Sequence, residues 1–233
     1  MRYVIMGILM LMTTWVQAAP VFSAGDIKFT GDTYISTLLP NETKGIGRIS
    51  TITQGDQVLW SSGTDGNFIN FVFGGYTPVV SPTAPIYNFQ AANGYVDFFL
   101  NTASIFNTSV GVDAGMAAIQ GGSLLLSSVA NGPTVGISTN VSYSANGFLD
   151  VTGGLFSWLL NTNTRPTFDP QGLADLSFGL VGTNNRSGLV NSDYQFIASA
   201  DMQGSTVSQV PLPTTAWLML SGMMVLLRKS KVA

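Results

Sequence analysis

From Ala19 to Gln209 the chain is written in short alternating runs. The stretch "PTVGISTNVSYSANGFLDV" places Val135, Ile137, Thr139, Val141 and Tyr143 at every second position and then reaches Asn146-Gly147. A period of two is the pattern of a strand, and Asn-Gly between such runs is a strong hairpin signal, so a turn is expected there. "GNFINFVFGGY" alternates Phe68, Asn70 and Val72 against Ile69, Phe71 and Phe73. Both sets are largely apolar, which predicts a central strand covered on both faces. "GYVDFFL", "GSLLLSSV", "ADLSFGLV" and "DYQFIASADM" are further strand candidates, separated at short intervals by Gly, Asn, Ser and Pro. Helical runs are confined to the two termini and to Gly154–Thr162, "GLFSWLLNT". Thr77–Tyr87, "TPVVSPTAPIY", carries three prolines and reads as a loop or an edge. The expectation is all-β: a single sandwich or jelly-roll-like domain.

Residues 19–209 are enough for one domain with its own core. The chain has no cysteine, so that core must hold without disulfides. It has no histidine either, which removes Ser-His-Asp and Cys-His catalysis and any His-ligated zinc. No nucleophile elbow and no phosphate-binding loop is present; "GISTN" lacks the closing glycine of the elbow. Two-carboxylate chemistry stays open, with Glu42, the sole glutamate, and Asp97 and Asp150 in strand-like segments as candidates. Solvated surface carboxylates are the simpler account of all three. "DPQGLAD", Asp169–Asp175, could offer oxygens to calcium but lacks the spacing of known calcium loops. It reads as a turn, as does "GVDAG" at 111–115. No metal site, no cofactor and no enzymatic activity are expected.

All twelve acidic residues lie between Asp26 and Asp201, against five basic ones, Lys28, Lys44, Arg48, Arg165 and Arg186. That region has a formal charge of −7, so nucleic acid is not an expected partner.

The two ends read as addresses. Arg2, an apolar run from Tyr3 to Met12, and then Ala18 and Ala19 follow the order of a secretory signal peptide. Cleavage after Ala18 puts Val16 and Ala18 at the −3 and −1 positions. The apolar run is short for a membrane span, which needs roughly 20 residues. At the other end, Pro211 and Pro213 precede an apolar stretch, Ala216–Leu227, and a basic cluster of Arg228, Lys229 and Lys231. A helix from Pro211 to Leu227 would be about 26 Å long, close to the bilayer core of roughly 30 Å, with Trp217 at one interface. The basic cluster would stay cytoplasmic. The expected organisation is residues 1–18 as signal peptide, 19–209 as a β-rich extracellular domain and 210–233 as a sorting signal with a transmembrane helix.

This tail resembles the PEP-CTERM sorting signal of Gram-negative bacteria. Val210, Pro211, Leu212 and Pro213 look like its Val-Pro-Leu-Pro variant, with Leu212 where glutamate is usual in the namesake motif. Trp217, Leu218, Ser221 and Gly222 stand where that variant carries its Trp-Leu pair and Ser-Gly. "LPTTA" also resembles a Gram-positive sortase signal, but the apolar stretch is short for one. A glycolipid anchor signal would not end on basic residues. The resemblance implies processing by an exosortase after export, with the inner membrane as a transient station.

A second resemblance covers 45–80 and 93–103. Gly47, Arg48 and Ile49, Trp60, Phe73-Gly74-Gly75-Tyr76 and Val96-Asp97-Phe98 match a flocculation-associated PEP-CTERM family, with Phe99 where tyrosine is expected. It implies an exported surface or matrix protein of a Gram-negative bacterium. Such a protein acts with exopolysaccharide in cell aggregation, and has the secretion machinery and exosortase as partners. Trp60 and Tyr76 are then the candidate ligand-contact aromatics, although Phe71 and Phe73 read as core. The alternatives are a two-carboxylate carbohydrate hydrolase and an uncut, membrane-tethered structural protein.

Overall fold

Thirteen strands, two α-helices and one 3-10 turn (Thr64–Gly66) occupy the described residues of this computed structural model, which are 24–39, 42–80, 87–90, 94–139, 141–185 and 190–207. The first seven strands are β1 (Gly25–Leu39), β2 (Glu42–Gln54), β3 (Gln57–Ser61), β4 (Phe68–Val80), β5 (Tyr87–Gln90), β6 (Tyr95–Asn101) and β7 (Ser123–Ala130). They are followed by β8 (Val135–Ser138), β9 (Ser142–Gly153), β10 (Arg165–Pro166), β11 (Leu173–Ala174), β12 (Leu176–Asn184) and β13 (Phe196–Thr206). Helix α1 (Val112–Gln120) links β6 to β7, and the single turn α2 (Ser157–Leu160) follows β9. The residues read in the sequence as a signal peptide, 1–18, and as a sorting signal, 210–233, lie outside the described residues.

The all-β expectation holds, but the sheet is closed. Strands run in the order β2-β1-β13-β12-β9-β7-β6-β4, and β4 pairs back onto β2, every pairing antiparallel. The sequence pointed to a sandwich or jelly-roll-like domain; the strands instead join into one closed sheet of eight. A ring of eight strands has an interior just wide enough for side chains to fill. Here aromatics fill it. Tyr76 and Phe178, on opposite sides of the ring, have centroids 6.2 Å apart, and Phe29 and Phe98 are 6.1 Å apart. Phe71 and Phe73 belong to this core, as their periodicity predicted.

Glycine makes room for those rings. Gly47 on β2 faces Phe71 on β4, and a Cβ there would lie 2.0 Å from the ring. Gly147 plays the same part on β9: a Cβ would come within 2.7 Å of Phe178. This explains why Asn146-Gly147 forms no hairpin. β9 runs straight through it, and the reversal occurs earlier, where Thr139 N–H donates to Ser142 O (2.8 Å). The Thr139 hydroxyl oxygen also accepts from the Val141 and Ser142 amides.

The outer face of β4 is covered as well. Val112, Met116 and Ile119 of α1 pack with Ile46, Val72, Phe99 and Tyr194. Asn70, the polar member of that face, is buried and donates to Asn101 (2.8 Å), which in turn donates to Ile119 O (3.2 Å) at the end of α1. "GVDAG" is therefore the start of a helix and not a turn. β1, β2 and β3 are also strands that the alternating runs did not single out. Gly154–Thr162 contains only the one turn of α2.

Candidate functional site: an outer groove on β9, β12 and β13

Because β9, β12, β13 and β1 are neighbours, their outward side chains fall into rows. One row is Ser144, Val181, Ser199 and Asp32; the next is Asn146, Gly179, Asp201 and Thr30; the third is Phe148, Ser177, Gln203 and Lys28. Gly179 is the one position of these rows without a side chain, so the middle row sinks into a hollow. A Cβ at Gly179 would sit 3.1 Å from Asn146 Oδ1, in the space that the hollow occupies.

One wall is aromatic. The short hairpin β10–β11 carries Phe168 over Phe148, edge to face, with centroids 4.8 Å apart. Arg165 holds the hairpin in place by donating to Gly204 O (2.9 Å) and pairing with Asp26 (3.1 Å). Its loop is closed by Thr167 N–H to Gly172 O and by Gln171 N–H to the Asp169 carboxylate. Asp169 thus serves a turn, as the sequence indicated. Phe168 is 49% exposed and Val181 67%, so both borders of the groove stand in water. The groove measures about 510 Å³.

The floor is polar and hydrogen-bonding: amides of Asn146 and Gln203, hydroxyls of Ser177 and Ser199, and the Asp201 carboxylate. Lys28 pairs with Asp201 at 3.3 Å, with both side chains more than 40% exposed. Such a surface can take a ring that has a C–H face for the aromatic wall and hydroxyl edges for the floor.

The carboxylates singled out in the sequence lie elsewhere, each held by its own neighbour. Asp97 accepts from the Ser127 hydroxyl (2.7 Å), Asp150 from the Asn131 amide (2.9 Å) and Glu42 from the Gly75 amide (3.0 Å). Asp97 and Asp150 sit on strands separated by β7. Asp175 is buried; it accepts from the backbone amides of Val151, Thr162 and Asn163 and so ties the α2 loop to β9. Asp201 is the one carboxylate among the described residues that lines the groove. No three acidic side chains among the described residues gather to hold a metal ion.

Nor does the structure bring Trp60 and Tyr76 together. Trp60 sits half-buried on β3, opposite Ile52. Tyr76 is 5% exposed, with its ring inside the barrel against Phe73 and Phe178, so it presents no surface to a ligand. Burial pushes its phenol, and that of Tyr143, well above the ordinary tyrosine value. The groove aromatics went unnoticed in the sequence because Phe148 reads as one more alternating residue and Phe168 lies in a turn. The visible signal was the glycine inside "LSFGLV".

No helix among the described residues is long and apolar enough to cross a membrane. Comparison with family models, curated proteins and solved structures finds no match to this chain.

Proposed function

We propose that this chain is the precursor of an exported, non-enzymatic protein that holds cells together by binding exopolysaccharide. The precursor enters the inner membrane by its signal peptide, 1–18, and pauses there on its C-terminal apolar segment. An exosortase then releases it near Val210–Pro213 to the cell surface or extracellular matrix. The observation that carries the adhesive part is the outer groove: an exposed aromatic wall, a glycine hollow and a floor of amides and hydroxyls. The sorting part rests on the proline motif, apolar stretch and basic cluster of residues 210–233.

Co-sedimentation tests the adhesive part. The protein recovered outside the producing cells is mixed with the polymer those cells secrete. Wild type should pellet with the polymer, and Phe168→Ala should lose most of that binding while keeping its fold. Equal pelleting of the variant would remove the groove from the account. The same recovered protein should have the intact mass of a chain beginning near Ala19 and ending near Val210–Pro213. A mass that includes Trp217–Ala233 would contradict exosortase release.

A further inference from the structure

We infer that the groove selects an amine-bearing glycan, a polymer of hexosamine units, over uncharged and acidic ones; this rests on the groove being a glycan site. Every basic side chain among the described residues is already in an ion pair: Lys28 with Asp201, Lys44 with Asp113, Arg48 with Asp32 and Arg165 with Asp26. Eight of the twelve acidic residues of the chain are in none of these pairs. A uronate or sulfate entering the groove therefore meets no uncommitted cation among the described residues, and it does meet Asp201.

An ammonium meets the opposite situation. The surrounding negative charge draws it in from a distance, and Asp201 lies on the floor beside the hollow at Gly179. Its present partner, Lys28, is nearly half exposed. Exposed pairs of this kind are weak and water-screened, so a ligand ammonium can replace the lysine at small cost. The rest of the floor stays available for hydroxyls, and Phe148 and Phe168 for the C–H face of the sugar ring.

The pairing makes a prediction of sign that a structural role for Lys28 would not produce. Removing Lys28 should strengthen binding of an amine-bearing glycan, because it frees Asp201. Removing the Asp201 charge should abolish the preference and leave the uncharged contribution untouched.

The test is calorimetry of the full chain in detergent micelles against three probes of equal length: a chitosan oligomer, a cello-oligomer and a polyuronate oligomer. The buffer is acidic enough to protonate the hexosamine amines. The chitosan oligomer should bind about fivefold more tightly than the cello-oligomer at low salt. That gap should close at ~1 M salt, where the screening length falls to about 3 Å. Lys28→Ala should widen the gap and Asp201→Asn should close it, with unchanged circular dichroism in both. Equal binding of chitosan and cello-oligomers that Asp201→Asn does not alter, or tightest binding of the polyuronate, overturns the amine preference. In either case a loss on Phe168→Ala keeps the glycan site itself. If no probe binds, and Phe168→Ala changes nothing in the sedimentation with the native polymer, the parent reading has failed.

Discussion

Tyr76 shows how a single side chain can be read two ways. In the sequence it closes an aromatic cluster beside Gly74-Gly75 and suggests an exposed stacking platform. In the barrel its ring is core, and its hydroxyl meets no protein hydrogen-bond partner among the described residues. The hydroxyls of Thr43 and Thr134 are in the same situation and line the same cavity, of about 30 Å³. A cavity needs roughly 10–15 Å³ to hold a water, and this one offers that water three polar partners. Tyr76→Phe should therefore cost about 1 kcal/mol in urea unfolding, the worth of a typical buried hydrogen bond. A variant more stable than wild type would show that the hydroxyl is paid no compensation by the cavity. Tyr76, Tyr143 and Tyr194 also set an alkaline limit. Burial raises all three, and Tyr194, beside Asp193 and Asp113 as well, is pushed up to about 12. The folded state keeps these phenols protonated after the unfolded chain has begun to lose its protons near pH 10. The contribution of these three phenols is fully present below that pH, and stability should fall as pH rises from about 10 through about 12. A melting temperature unchanged across that window would contradict the burial of these rings.

At the level of elements, α1 is the clearest departure from the alternating pattern. Its sequence, "VDAGMAAIQ", is short and carries a glycine, and its N-cap is Gly111 with no side-chain cap. Little in it announces a helix, and tertiary packing decides the matter. Val112, Met116 and Ile119 lie on one face at helical spacing, and that face covers β4. Ile119 is wholly buried, so Ile119→Ala should cost about 2–5 kcal/mol in urea unfolding. A loss under 1 kcal/mol would mean that the helix is only loosely seated. The same competition explains what was and was not legible. The apolar run of β4 announced a strand covered on both faces, because its pattern depends on nothing outside itself. Asn146-Gly147 misled, because the value of that glycine lies in its contact with Phe178, thirty-one residues away in sequence. The groove was hidden for a related reason. Alternation tells which residues of a strand point outward, but the rows come from which strands are neighbours, and Asn146, Gly179 and Asp201 meet only through the β9-β12-β13 order.

For the whole molecule, closure of the ring joins stability to function. Pairing β4 to β2 leaves the eight ring strands without a long open edge that would invite pairing with other copies. On the proposed adhesive reading, binding falls to the outer surface, where the β9-β12-β13 face has a groove. First and last ring strands are neighbours, with Gly25 opposite Thr206, so the chain enters and leaves the barrel side by side. The central claim, that this face holds cells to their polymer, is tested most directly by cell aggregation in a strain lacking the gene. Restoring the wild-type gene should restore settling flocs. Restoring a Gly179→Val form, whose side chain fills the hollow next to Asn146, should leave cells dispersed while the protein is exported at the same level. Full aggregation by the Gly179→Val form, or flocs that persist after deletion of the gene, would contradict the account.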